Sequence, residues 1–161
     1  MYARELTVRK DIDAMIQVEQ ACHGEEAWVA DDYKILPSGL SKIIGLEEVV
    51  CERDVPDEYL LLAYQVLIMV PGSSTAKMIA FPQVSGLSDR QLTTLTKATL
   101  LHSGCDKIYA TPLVSNLKMC NMLKKAGFLC VKEENGNYTF EAKSSTGKPA
   151  MTLENRLDKF L

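Results

Sequence analysis

The chain has 161 residues, 47% of them apolar and 24% charged, which suits one globular domain built on a single core. Its formal net charge is -3, so there is no broad basic surface for nucleic acid. No run of about 18 apolar residues occurs, which argues against a membrane span, and "MYARELTVRKD" lacks the apolar stretch of a signal peptide, so a cytoplasmic location is expected.

In chain order, "RELTVRKDIDAMIQVEQA" predicts a short strand and then a helix. Thr7 is placed to cap that helix, and Ile12, Met15 and Ile16 recur at helical spacing. "CHGEEAWVADDYKILP" reads as an acidic loop whose Trp28 and Tyr33 either fold onto the core or line a pocket. "PSGLSKIIGLEEVVCE" predicts a second short helix, with Leu40, Ile43, Ile44 and Glu47 setting its faces. "EYLLLAYQVLIMV" is a continuous apolar run ending at Pro71-Gly72, the pattern of a strand buried on both faces. The turn "PGSSTA" leads into a strand, "AKMIAFPQV", where Pro82 argues for an edge, a bulge or a point of divergence.

"SGLSDRQLTTLTKATLLHSG" predicts a helix. Ser88 caps it, Gln91 closes a capping box, Leu92, Leu95, Thr99 and Leu100 form its inner face, and Gly104 ends it. "CDKIYATPL" is a strand, and Ser115 is placed to cap the helix "NLKMCNMLKKA", which stops at Gly127. "FLCVKEENGNYTFEA" is a hairpin, because Asn135-Gly136 supplies the two positive-φ residues of a type I′ turn. Residues 144–161 form a polar linker and then a short amphipathic segment with Met151, Leu153, Leu157, Phe160 and Leu161. This order of elements predicts an α/β or α+β fold, a mixed sheet with helices on its faces.

The five cysteines (Cys22, Cys51, Cys105, Cys120 and Cys130) include no C-x-x-C and have mostly apolar neighbours. They read as reduced, packed thiols. Neither His23 nor His102 sits in a nucleophile motif, and no metal site is expected.

"SNLKMCNMLKKAGF" resembles the last helix of the GNAT family of N-acetyltransferases, which runs roughly N-x-x-A-x-x-L-Y-x-K-x-G-F. Asn116, Met119, Met122, Leu123, Lys125, Gly127 and Phe128 fall at those spacings. The resemblance extends over residues 1–143, taking in "LTVRKDIDAM" and "HSGCDKIYATPLVSN". It implies a GNAT-like domain over 1–143, a mixed central sheet flanked by about four helices, and transfer of acetyl from acetyl-CoA to a small amine. The family's Q/R-x-x-G-x-G/A phosphate loop would place glycines near Leu87 and Asp89; Gly86 alone is close. Asp89 would set a negative charge in the first helical turn, and Ser88 would occupy N–H groups that a phosphate needs. Gly86, Ser88 and Asn116 are the positions that the resemblance assigns to the cofactor, although Asn116 equally fits a helix cap.

The family's strand carboxylate has no counterpart in "AKMIAFPQV"; Glu25, Glu26, Asp31 and Asp32 in the early loop are the acids nearest a substrate cleft. The tyrosine that protonates the departing thiolate corresponds to Leu123, which carries no proton to give. Tyr109, on the preceding strand, is the nearest substitute in sequence.

Two functions follow from the resemblance. The first is a non-catalytic protein with a degraded acetyl-CoA site, used for binding or assembly; the absent glycine loop and tyrosine favour it. The second is an active, divergent N-acetyltransferase. "YATPLVSNLKMCNMLKKAGFLCVKEENGNYTFEA" also resembles the end of GNAT-like internal virion proteins of short-tailed phages. That resemblance implies a protein partner, an oligomer or virion assembly, and a location in host cytoplasm or virion.

Overall fold

A computed structural model describes residues 1–50 and 58–144. In chain order these form β1 (Tyr2–Leu6), α1 (Val8–His23), a 3-10 turn (Gly24–Glu26), α2 (Ala30–Lys34), β2 (Ser41–Val50), β3 (Glu58–Met69) and β4 (Thr75–Ala80). Then come α3 (Asp89–Ser103), β5 (Lys107–Ala110), α4 (Leu117–Lys125), β6 (Leu129–Glu134) and β7 (Asn137–Lys143). The seven strands make one sheet in the order β1-β2-β3-β4-β5-β7-β6. Every pairing is antiparallel except β4 with β5. The expected mixed α/β sheet with helices on its faces is what forms.

Each face of the sheet carries its own core. On one side α3 and α4 pack Leu92, Leu95, Leu123 and Phe128 against Ile44, Leu67, Ile108 and Phe140. On the other side α1 and α2 pack Met15, Val18 and Tyr33 against Leu6, Ile43, Tyr64 and Val66. The continuous apolar run of β3 follows from this arrangement, since a central strand covered on both faces has no polar side.

The helix predicted over 37–50 is a strand, β2. The spacing of Leu40, Ile43, Ile44 and Glu47 suits a helix, but the β-branched pairs Ile43-Ile44 and Val49-Val50 suit an extended chain equally. Pairing with β1 and β3 decides between them. Ile43 enters the α1-side core and Ile44 the α3-side core, an alternation that a helix cannot produce. Gly45 lies under α1, where a Cβ would stand 2.7 Å from Leu6 Cδ1. The glycine is what lets β1 and β3 close over β2 at that point.

The remaining local signals appear largely where the sequence placed them. Ser88 Oγ accepts from the Gln91 N–H at 3.1 Å, and the Ser88 N–H donates to Gln91 Oε1 at 2.8 Å, completing the capping box. Asn135 and Gly136 have φ of 54° and 81°, the turn that joins β6 to β7. The cap of α4 is Asn116 rather than Ser115: Asn116 Oδ1 accepts from the Met119 N–H at 3.1 Å. Cys105 and Cys120 are buried and Cys22 half-buried, but Cys130 is exposed, because β6 is an edge strand whose residues all face solvent. Cys51 and the amphipathic segment after Ser144 lie outside the described residues.

Candidate functional site

The site begins where two strands part. β4 and β5 run in parallel and pair from Thr75–Lys107 to Lys77–Tyr109, and no further. Ile79 is the extra residue of a bulge in β4, since Leu67 pairs with Met78 and Val66 with Ala80. A bulge bends its strand and increases the local twist. Beyond it the chain stays with β3: the Tyr64 N–H donates to the Pro82 carbonyl at 3.0 Å and the Val84 N–H to the Leu62 carbonyl at 2.9 Å. Pro82 thus marks the expected divergence, and the β5-facing edge of β4 is left open.

A groove in two parts occupies this opening. The first, about 370 Å³, lies between the C-terminal end of α1 and the start of α4 and is floored by Ile79, Ala80 and Phe81. Glu19, His23, Glu26, Trp28, Asn116 and Lys118 reach its walls. The second, about 340 Å³, continues along the loop Gln83–Leu87 and is faced by Lys118, Asn121 and Lys125 of α4. Cys22, Lys118 and Met122 belong to both parts, and the Lys118 ammonium donates to the Cys22 carbonyl, tying α4 to α1 across the groove.

Glu19 is the chemically distinctive residue of the first part. It is 1% exposed, and its Oε2 has no hydrogen-bond partner among the described residues. Tyr33 donates to Glu19 Oε1 at 3.2 Å, the Tyr33 and Tyr64 hydroxyls are hydrogen-bonded to each other, and Tyr64 donates to the Met15 carbonyl at 3.1 Å. Burial raises the Glu19 carboxyl above its ordinary range, against the pull of the Tyr33 hydroxyl and the Trp28 N–H. Burial also lowers His23, whose Nε2 stands 3.8 Å from Glu19 Oε2, so both neighbours move toward their neutral forms.

The second part has the features of an anion site. Gly86 has φ of +85°, which a turn there requires, and open space lies where its Cβ would be. The backbone N–H groups of Ser85 and Gly86 make no hydrogen bond among the described residues, and Lys118 and Lys125 stand opposite.

No family profile and no curated protein sequence matches the chain. Solved structures do match. The ribosomal-protein-S18-alanine N-acetyltransferase from Escherichia coli superposes with a TM-score of 0.61 at 13% identity, over 89% of this chain and 94% of that one. NAA60 of Arabidopsis thaliana, in complex with a bisubstrate analogue, gives 0.61 at 14% identity, over 89% and 98%. The PaiA N-acetyltransferase of Thermoplasma acidophilum, in complex with coenzyme A, gives 0.54 at 13% identity, over 88% and 98%. This is the fold of the GNAT acetyltransferases.

On the GNAT frame the sequence-predicted positions separate. Gly86 and Asn116 line the groove, and Asn116 also caps α4. Ser88 is committed to capping α3, and neither it nor the exposed Asp89 lines the groove. Tyr109 lies half-buried between Lys77 and Glu141 in register, and it lines neither part of the groove. Leu123 is fully buried in the α3-side core. Of the loop acids, Glu26 borders the groove, Asp32 accepts from the Val29 N–H at 2.7 Å, and Asp31 faces Lys34 at the surface.

Sequence reasoning passed over Glu19, Cys22 and Lys118. Each left a signal. Glu19 is four residues after Met15 and three after Ile16, a charge in the apolar stripe of α1. Lys118 is a cation in the first turn of a helix, where the dipole disfavours it.

Proposed function

We propose that the chain binds acetyl-CoA in the groove between α1 and α4, beside the open edge of β4, and transfers the acetyl group to an amine, with Glu19 as the proton acceptor. The observation that carries this reading is the buried Glu19 on the groove wall, whose Oε2 has no hydrogen-bond partner among the described residues. Leaving a buried carboxylate oxygen without a hydrogen bond costs stability, and an acceptor amine would supply one. A carboxyl raised by burial is also suited to general-base work near neutral pH.

The residues present fit the ligand. Lys118, Lys125 and the free N–H groups of Ser85 and Gly86 would hold its phosphates, doing with two cations what a glycine-rich loop does with backbone alone. The open edge of β4 at Ile79–Phe81 would hold the amide-bearing arm. The neutral amine would enter past Trp28 and Glu26 and attack the acetyl carbon while Glu19 takes its proton; the carbon–sulfur bond to CoA would break and that proton would pass to the departing sulfur, so that CoA leaves as the thiol.

The reading is tested by calorimetry with acetyl-CoA and by thiol release with spermidine and with a lysine peptide as acceptors. Wild type is expected to bind and to turn over at least one acceptor. Glu19→Gln is expected to bind equally and to lose about two orders of magnitude in rate. Equal rates for the two proteins would overturn the assignment.

Leu123 supports a second reading, non-catalytic binding or assembly, because α4 places an apolar side chain where the family has its proton donor. Acetyl-CoA binding with no turnover on any acceptor would favour it. A virion role belongs to that reading and is supported by sequence resemblance alone.

A further inference from the structure

We infer that the amine accepted at Glu19 carries a carboxylate at its far end, and that Lys77 recognises that carboxylate. This rests on the acetyl-transfer reading above and names the substrate class for the same site.

A third cavity, about 310 Å³, lies where β4 and β5 part. Ile79, Asn116 and Met119 line both this cavity and the part of the groove that holds Glu19, so the two spaces meet there. Lys77, Thr111 and Pro112 form further walls. Lys77 stands opposite Tyr109 in the last pair of the parallel β4–β5 ladder. Ala76 and Met78, on either side of it, enter the α3-side core. Lys77 therefore faces the α1 side of the sheet, as Ile79 does. Two strand residues, roughly 7 Å, separate it from the Ile79 floor of the Glu19 part.

The cavity offers hydrogen-bond donors and no acid. Lys77 is half-buried, and its ammonium has no ion pair or hydrogen bond among the described residues. Lys107, the next cation on this face, is by contrast paired with Glu141 at 3.2 Å, which commits the carboxylate nearest in register. Asn116 accepts through Oδ1 from the Met119 N–H, so its amide NH2 is left without a partner among the described residues. The Thr111 hydroxyl is uncommitted as well. A half-buried cation with no counter-ion favours an anion, and one ammonium with two neutral donors matches a singly charged carboxylate. The acids Glu19 and Glu26 border the other part, where the amine enters. Lys118, the cation there, is bonded to the Cys22 carbonyl. An acceptor with an amine at one end and a carboxylate at the other thus meets a matching wall at both ends. Several methylenes between the two groups suit their separation. Lys77 takes no part in proton transfer; it holds the far end of the acceptor and sets specificity.

The experiment compares ε-aminocaproate, hexylamine and hexamethylenediamine as acceptors for acetyl-CoA. They share one chain length and differ in whether the far end is a carboxylate, a methyl or an aminomethyl group. In thiol release, kcat/KM is expected to be about tenfold higher for ε-aminocaproate than for hexylamine, and lowest for the diamine. Lys77→Met is expected to raise KM for ε-aminocaproate about tenfold at unchanged kcat and to leave hexylamine unaffected. Lys77→Glu is expected to make the diamine the best of the three. Equal kcat/KM for ε-aminocaproate and hexylamine in wild type overturns the inference and leaves acetyl transfer standing. An equal loss on all three acceptors in Lys77→Met also overturns it, as a structural effect. Calorimetry with ε-aminocaproate in the presence of CoA decides the case in which no acceptor turns over. Binding that Lys77→Met removes then upholds the carboxylate site while the transfer reading falls, and absence of binding overturns both.

Discussion

Glu19 and Leu123 have opposite fates on the two faces of the sheet, and each makes a prediction. The Glu19 carboxyl is raised by burial, so the folded state prefers its proton. Its contribution to stability is therefore complete at acid pH and is lost as pH rises through the folded value, which lies above the ordinary carboxylate range. Tyr33 and Asp32 from the α2 side, His23 on α1 and Lys118 on α4 all bear on that titration. Denaturant titrations across pH are expected to show this loss in wild type and a flatter profile in Glu19→Gln; parallel profiles would contradict the assignment. Leu123 is fully buried, so Leu123→Tyr forces a larger, polar ring into the core. It is expected to cost about 1–3 kcal/mol and to add no rate. A stable Leu123→Tyr with faster thiol release would mean that α4 can rotate its donor into the groove.

At the scale of elements, the start of α3 separates capped from uncapped N–H groups. Ser88 and Gln91 satisfy the first turn, while Ser85 and Gly86 keep their N–H groups free one turn earlier in the chain. Ser88→Ala is expected to destabilise the fold by about 1 kcal/mol, measured in urea, without weakening acetyl-CoA. A weakened complex at unchanged stability would place the ligand on the helix terminus instead. Elements with a local signature were legible in the sequence: the capping box of α3, the Asn-Gly hairpin and the apolar stripe of α1 each depend on residues a few positions apart. β2 was not legible, because Ile43 and Ile44 satisfy helix and strand patterns alike. Its state is set by β1 and β3, which are distant in sequence.

For the whole molecule, a net charge of -3 coexists with a cationic wall at one groove. Global charge therefore says little about affinity for an anion; placement of Lys118 and Lys125 does. Lys125→Ala is expected to weaken acetyl-CoA several-fold in calorimetry and to reduce the salt dependence of binding, with the fold unchanged. Unchanged affinity would move the phosphates out of the second half of the groove.

The sequence by itself determined the fold class, most element boundaries and the presence of leucine at position 123 of the α4 motif. These are local properties: periodicity, capping and turn chemistry, and residue identity at a motif position. The tertiary structure alone decided the site. Glu19 and Cys22 on α1, the loop at Gly86, and Lys118 on α4 are separated by up to a hundred residues, and they meet because a bulge at Ile79 parts β4 from β5. The raised carboxyl of Glu19 likewise comes from burial, beside Tyr33 and Tyr64, side chains brought in from α2 and β3. No local pattern encodes that environment, because it is made by long-range packing.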